Sequence, residues 1–209
     1  MAKFPPSRIG ALDAPETLRV LASAPDDASQ IVGVVAEAFL HDPTWSWAFP
    51  DPATRERWWR LIVPSAFRYP WVMRTAGFEA VSVWIPPNGT ELTAEEDAQT
   101  IALLPELVGA RAADVAELLR RFVAAHPNDQ PHYYLSLLTT ADRHRGRGLG
   151  MALLRENLAR IDAEGAAAYL ESTNPKNNPR YASLGFAPVV SFEAPGGGPT
   201  VTGMWRPAR

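Results

Sequence analysis

The segment Arg143-His-Arg-Gly-Arg-Gly-Leu-Gly150 sets three glycines at alternate positions among three arginines and a histidine. It follows His132 to Thr140, a nine-residue stretch rich in Tyr and Leu that reads as a strand. It opens Leu149 to Ala163, whose apolar residues recur at helical spacing up to Gly165. A turn from strand into helix aims several backbone N–H groups at one point, at the positive end of the helix dipole, and so suits a phosphate. Glycine permits the positive φ and the close approach that such a cradle requires. A P-loop is excluded, because that motif needs a lysine after its last glycine and none lies near. A dinucleotide fingerprint begins at Gly146-Arg-Gly148, with Glu171 where a ribose-binding acid would stand, but its sixth position is Met151. A nicotinamide-dependent oxidoreductase is therefore the weaker reading.

A second cluster follows the loop. Asn174-Pro-Lys-Asn177-Asn-Pro-Arg-Tyr181-Ala-Ser-Leu-Gly185-Phe186 carries two asparagines and a tyrosine four residues before a Gly-Phe pair. Arg145-x-x-Gly148-x-Gly150 fits the pattern Q/R-x-x-G-x-G/A, and the downstream run fits N-x-x-x-Y-x-x-x-G-F. Together they resemble the pyrophosphate loop and the C-terminal segment of the GNAT superfamily of N-acetyltransferases. Within it the layout is most similar to puromycin N-acetyltransferase-like enzymes, through Ala38-Phe39 with Asp42-Pro43, Trp84-Ile85-Pro86 and Tyr169-Leu-Glu-Ser172. Thr139-Thr140 and Ala141-Asp142 depart from the residues usual there.

The resemblance implies acetyl-CoA as co-substrate and a small-molecule primary amine as acceptor. Backbone groups of Leu138, Thr139 and Thr140 would hold the pantetheine arm, and the amides of Arg145, Gly146, Arg147, Gly148, Leu149 and Gly150 the pyrophosphate. Amide formation from a thioester needs a deprotonated amine, since an aliphatic ammonium titrates near ~10. It also needs donors for the oxyanion and a proton for a thiolate whose pKa is near ~8.5. Tyr181 stands where the family's proton donor lies. Glu171, at a strand end, is a candidate base acting directly or through water, or else an edge residue. His126 and His132 bracket the start of the central strand and are candidates for proton relay or for packing.

Asn174 and Asn177 either bind the cofactor or form Asx turns before Pro175 and Pro179. Glu37 and Asp42 are candidates to bind a cationic acceptor, with Trp45 and Trp47 in an aromatic wall. Six of the seven tryptophans fall between Trp45 and Trp84, the half that forms the acceptor wall in the family, which suggests a bulky, aromatic or antibiotic-like amine. Trp58 and Trp59 are adjacent on a helix and cannot point the same way, so at least one should face a cleft, a partner or solvent. A CoA-binding module without catalysis is the alternative of another class.

Composition narrows the field. Two hundred and nine residues suffice for one domain, expected over 16–209 behind a loose Pro-rich lead-in at 1–15. The absence of cysteine excludes a thiol nucleophile, thiolate zinc and iron–sulfur clusters. Four histidines without ligand spacing predict no metal. A net charge of −3 offers no global field for nucleic acid. No apolar run has the length of a signal peptide or membrane span, so a cytoplasmic protein without a membrane partner is expected. It would be a monomer, or a homodimer through the last hairpin, Pro188 to Trp205.

These residues need a mixed α/β scaffold. The resemblance implies a mostly antiparallel central sheet, splayed between its fourth and fifth strands, with helices on both faces. The pattern gives a strand at Thr17–Leu21, a helix from Asp26 or Asp27 to about Leu40, and turns at Pro43, Pro50 and Pro52. Next come helical residues Ala53–Phe67 and a hairpin of Trp71–Arg74 with Phe78–Ile85. A capping box, Thr93 with Glu96, starts a helix ending about Leu104, and Ala112–Ala125 forms another. Beyond Leu149–Ala163 lie a strand at Ala167–Glu171, a short helix at Pro179–Leu184 and the hairpin of Pro188–Glu193 with Thr200–Trp205.

Overall fold

A computed structural model describes residues 18–209; the expected lead-in and Thr17 lie outside the described residues. Seven strands form one sheet: β1 (Val20–Ala22), β2 (Val72–Thr75), β3 (Ala80–Ile85), β4 (His132–Thr140), β5 (Ala167–Ser172), β6 (Ala187–Glu193) and β7 (Thr200–Arg206). Their spatial order is β1-β2-β3-β4-β5-β7-β6. Neighbours run antiparallel except β4 and β5, which are parallel. Among the described residues there is no doubly wound parallel sheet of a dinucleotide fold, and the nicotinamide reading loses its support. The helices are α1 (Ala28–Ala38), α2 (Pro43–Ala48), α3 (Pro52–Ile62), α4 (Ala94–Val108), α5 (Ala112–Ala125), α6 (Leu149–Ala163) and α7 (Asn178–Ala182), and they cover both faces.

One face of the sheet packs against α1, α3, α4 and α5, where Ile31, Val35, Trp59, Val81, Leu118 and Leu137 share a core. The other packs against α6 through Leu154, Leu158 and Ile161, with Trp84, Tyr133 and Leu170. The two cores explain why α1 and α6 each read as apolar stripes in the sequence.

Two irregularities of β4 shape its C-terminal half. Val83 pairs with Leu137 and Trp84 with Leu135, so Ser136 is an extra residue, a β-bulge. The bulge switches the facing of the side chains: Tyr133 and Leu135 pack with α6, whereas Leu137 packs on the opposite core. Just there the parallel partner departs. Pairing of β4 with β5 ends at Leu135 and Leu170, although the strands continue to Thr140 and Ser172. The sheet thus splits into a wedge beyond Leu135.

Prolines account for two departures from the sequence expectation. Pro43 and Pro52 begin helices rather than turns, because proline at the first helical position loses no hydrogen bond and presets φ. Asp42 and Asp51 cap them through side-chain oxygens. α4 runs through Pro105 to Val108 instead of stopping near Leu104, since burial of Leu104 and Leu107 holds the last turn despite the missing N–H. The first strand begins at Val20 and is short.

Candidate active site

Two cavities meet at the mouth of the wedge. The larger, about 520 Å³, lies over the start of α6 and is lined by Leu138, Thr139 and Thr140 of β4 and by the glycine loop. Gly146 and Gly148 sit at φ of 77° and 75°, in the left-handed region that other residues enter at a cost. Gly150 serves another purpose: a Cβ there would stand 2.6 Å from Oγ1 of Thr140. Its lack of a side chain lets α6 start against the end of β4. No backbone carbonyl among the described residues accepts from the amides of Gly146 to Met151. Those donors suit an anion lying in the cavity.

The side chain of Arg145 is engaged otherwise. It pairs with Asp142 at 2.8 Å and donates to the carbonyl of Ala38 at the end of α1, fixing the loop to the neighbouring helix. Arg147 does not line the cavity and meets the ring of His144 at 3.1 Å. Asn174 and Asn177 do line it, but each has a local bond as well. Asn174 accepts from the amide of Lys176, closing an Asx turn, and Asn177 accepts from Arg180. The fit to a nucleotide pyrophosphate therefore rests on loop amides, with the exposed guanidinium of Arg180 at the rim.

The smaller cavity, about 180 Å³, opens on the side of the wedge covered by α3, α4 and α5. Phe39, Trp45, Trp58, Trp59 and Phe122 give it an aromatic wall. Trp58 stacks on Phe49 with centroids 4.8 Å apart, and Trp59 on Phe39 at 5.0 Å. Neighbours cover both rings, leaving Trp58 3% and Trp59 1% exposed, yet both line the cavity. Their Nε1 atoms have no hydrogen-bond partner among the described residues. Trp47 lines neither cavity: Arg111 lies over its ring at 4.5 Å and donates to its carbonyl. Glu37 lines neither cavity as well.

Asp42 borders both cavities but acts first as a bracket. One oxygen accepts from the amides of Thr44 and Trp45, each at 3.0 Å, and the other from Thr173 Oγ1 at 2.7 Å. Thr44 in turn donates to the carbonyl of Thr173 at 2.9 Å. These bonds tie α2 to the segment after β5. Burial pushes the carboxyl of Asp42 up, against the opposing effect of its donors.

Two carboxylates form the polar end of the aromatic cavity, and only one was expected from the sequence. Glu171 leaves β5 just beyond the point where β4 parts from it, while β7 still pairs with the strand, and its side chain is 3% exposed. Oε1 stands 3.6 Å from Nδ1 of His126, while Oε2 accepts no hydrogen bond from the described residues. Glu91, in the loop between β3 and α4, accepts from the hydroxyl of the bulged Ser136. Burial, and next the charge of Glu171, push the Glu91 carboxyl up. The phenol of Tyr134 lies between these acids, and burial together with both negative charges holds it well above its usual range. Glu91 and Ser136 had no spacing signal: they lie 45 residues apart and meet only because of the bulge.

Tyr181, on α7, borders both cavities, together with Phe39, Asp42, Leu138 and Asn177. Its ring packs edge-on to Phe186 at 6.3 Å. Its hydroxyl makes no hydrogen bond among the described residues. Burial, and then the charge of Asp42, push it up to about 12, so it stays a phenol across the physiological range. A neutral O–H at the junction of an anion-binding cleft and an acid-bearing aromatic cavity can donate a proton or a hydrogen bond. Glu171 can accept a proton.

Among the described residues no three His, Asp or Glu side chains gather as a metal-ligand set, and no helix is long and apolar enough to cross a membrane.

Comparison with known proteins agrees with this geometry. The profile of the Acetyltransferase (GNAT) family matches residues 35–186. A solved structure of histone acetyltransferase HPA2 and related acetyltransferase from Corynebacterium glutamicum is 26% identical, covering 93% of this chain and 98% of its own, with a TM-score of 0.65. Arylalkylamine N-acetyltransferase 2 from Aedes aegypti shares the fold at 11% identity, covering 93% and 100%, with a TM-score of 0.65. So does the polyamine N-acetyltransferase of Drosophila melanogaster, which forms N-acetylagmatine, at 16% identity, 91% and 99% coverage and a TM-score of 0.59. The wedge between β4 and β5, the glycine loop at the start of α6 and the matched profile agree, and the chain belongs to the GNAT acetyltransferase family.

Proposed function

We propose that this protein transfers an acetyl group from acetyl-CoA to the primary amine of a small, bulky aromatic molecule. One observation carries the reading: Tyr181 borders both the glycine-loop cavity and the aromatic cavity holding Glu171. The family uses acetyl-CoA. The free amides of Gly146 to Met151 suit its pyrophosphate, and the wedge beyond Leu135 suits an extended pantetheine arm.

In this mechanism the aromatic wall excludes water and holds the hydrophobic body of the acceptor. The carboxylates of Glu171 and Glu91 receive its ammonium group, and Glu171 takes a proton from it. The free amine attacks the thioester carbonyl, whose oxygen lies near the edge of β4 around Leu138 to Thr140 that β5 has left, the opposite edge being paired with β3. The tetrahedral intermediate breaks its C–S bond while Tyr181 donates to the departing thiolate. The second proton of the attacking nitrogen passes, directly or through water, to the Tyr181 oxygen, leaving a neutral amide and the phenol restored. No covalent bond to the protein is formed, so the reaction needs no cysteine. Polyamine and arylalkylamine acceptors of the structural neighbours support an amine, and the aromatic lining favours an aryl group.

The test is thiol release monitored with dithiobis-nitrobenzoate over a panel of amines including tryptamine, phenethylamine and agmatine, with acetylated product identified by mass spectrometry. Acetyl-CoA is expected to raise the melting temperature, and the aryl amines to react fastest. Absence of both the thermal shift and the product refutes the proposal. A thermal shift without turnover on any amine identifies a CoA-binding module instead.

A further inference from the structure

We infer that His126, backed by His132, is the proton exit of this site: it receives from Glu171 the proton given up by the acceptor ammonium and passes it to water. The inference rests on the acetyl-transfer reading with Glu171 as base. A buried base must return its proton to solvent before it can act again, because each turnover on an ammonium substrate releases one proton. Glu171 is so placed, with its side chain 3% exposed, whereas the His126 side chain beside it is 29% exposed.

The hydrogen-bond pattern of the two histidines sets their tautomers. Nδ1 of His132 stands 2.7 Å from the carbonyl of Gln130, which can only accept, so that nitrogen carries the proton. Nε2 of neutral His132 is then an acceptor, and it lies 3.2 Å from Nε2 of His126. That nitrogen of His126 must donate, leaving Nδ1 of the neutral ring with a lone pair facing Oε1 of Glu171 at 3.6 Å. Two acceptors face each other across a gap that a proton would fill. Burial lowers the pKa of His132, against the raising effect of its bond to the Gln130 carbonyl, so His132 stays neutral and orients its neighbour.

The two oxygens of Glu171 thus serve different sides. Oε2, without a hydrogen-bond partner among the described residues, is available to the ammonium, and Oε1 faces the histidine. The ammonium N–H bond breaks as the proton passes to the carboxylate. The carboxyl O–H bond then breaks as the proton passes to Nδ1, restoring the carboxylate and making His126 a cation, which releases a proton to water at the surface. The 3.6 Å gap must shorten or admit one water for the transfer, as commonly happens when a substrate closes a site. The acidic groups around His126 are Glu171 on β5, Glu91 before α4 and Asp129 near His132, together with the un-ionised phenols of Tyr134 and Tyr169. The rings of Tyr134 and Tyr169 pack edge-on against His126 at 4.8 and 5.2 Å and hold it in place.

His126→Gln keeps a donor toward His132 and removes the relay. With tryptamine and acetyl-CoA, kcat is expected to fall by about tenfold or more at pH 7. The deficit should shrink as pH rises toward the pKa of the amine, because a neutral acceptor brings no proton to export, and millimolar imidazole should restore part of the rate. A merely structural role predicts a loss independent of pH that imidazole does not relieve. That result, or unchanged turnover, overturns the relay. Long-range proton–nitrogen NMR of the unliganded wild-type protein supplies a readout without turnover. Neutral His126 protonated on Nε2 and His132 on Nδ1 support the relay, and a neutral His126 protonated on Nδ1 overturns it. Failure of the wild type to acetylate any amine overturns the acetyl-transfer reading itself, whatever the tautomers.

Discussion

Replacing Tyr181 with phenylalanine removes one hydroxyl and little else, since the oxygen bonds no described residue and the ring keeps its packing on Phe186. The magnitude follows from the mismatch between donor and acceptor. The phenol, pushed up to about 12, is a weaker acid than a thiol near ~8.5 by roughly three and a half powers of ten. Complete transfer to a finished thiolate is therefore uphill, and Tyr181 acts by donating as negative charge builds on sulfur. Partial transfer belongs at the lower end of general-acid effects, a fall in kcat of about a hundredfold. The KM for acetyl-CoA should change little, because the loop amides and not the hydroxyl hold the nucleotide. The raised pKa also fixes the sign of the pH dependence: the group stays protonated as pH climbs, so Tyr181 contributes no alkaline fall in kcat below pH 10. Thiol release by wild type and Tyr181→Phe, with tryptamine saturating, is the assay. A variant with unchanged kcat refutes the reasoning, as does an alkaline limb near pH 9 that disappears with the hydroxyl.

Gly150→Ala should lower both the melting temperature and the affinity for CoA: overpacking against Thr140 costs about 1–3 kcal/mol, outweighing the roughly 1 kcal/mol that alanine gains in a helix. Calorimetry of Gly150→Ala with and without Thr140→Ala checks this, since the second change removes the obstruction and should restore stability. Asp162→Asn strips the partner from the buried guanidinium of Arg206, which it holds at 2.6 and 2.7 Å, and should cost about 3 kcal/mol by urea denaturation. The hydrogen bond from Arg206 lowers the Asp162 pKa, so its contribution is present above the ordinary aspartate range and is lost as pH falls through the lowered value. Glu91→Gln should stabilise the unliganded protein at neutral pH. The folded-state pKa of Glu91 is raised, so ionisation opposes folding above the unfolded value near 4.5, and the advantage of the variant should fade as pH falls toward it. Melting curves at pH 4 and pH 7 give the comparison.

What the sequence revealed depended on how local the causes were. α5, β4 and α6 follow their patterns residue for residue, because each carries its own periodicity and a nearby stop: His126-Pro127, the glycine loop, and Gly165. Pro43 and Pro52 were misleading, since one residue type serves both as a turn former and as a helix start. The site was legible where it is backbone. Glycines at 146, 148 and 150 announce a cradle whatever surrounds them, and Tyr181 is fixed by its distance from Gly185-Phe186. It was less legible where side chains converge from remote segments. Glu91 became visible only once the bulge at Ser136 brought the strand to it, and Trp47 is drawn out of the cavity by Arg111, 64 residues away. Arg145 illustrates the difference: its place in the motif was readable, but its bond to Ala38, 107 residues earlier, was not.

The parting of β4 from β5 gives the sheet two inner edges in addition to its outer pair. Open strand edges tend to recruit other chains, and this one is recessed between helices, where an extended molecule rather than a neighbouring protein can occupy it. On the acetyl-transfer reading, the co-substrate completes the sheet in the manner of an added strand. Saturation would then contribute to folding: about 2.7 kcal/mol at a hundredfold excess over Kd. The lifetime of the protein in a cell would rise and fall with the supply of its own donor, so that scarcity of acetyl-CoA would thin the population of folded enzyme as well as slow each molecule.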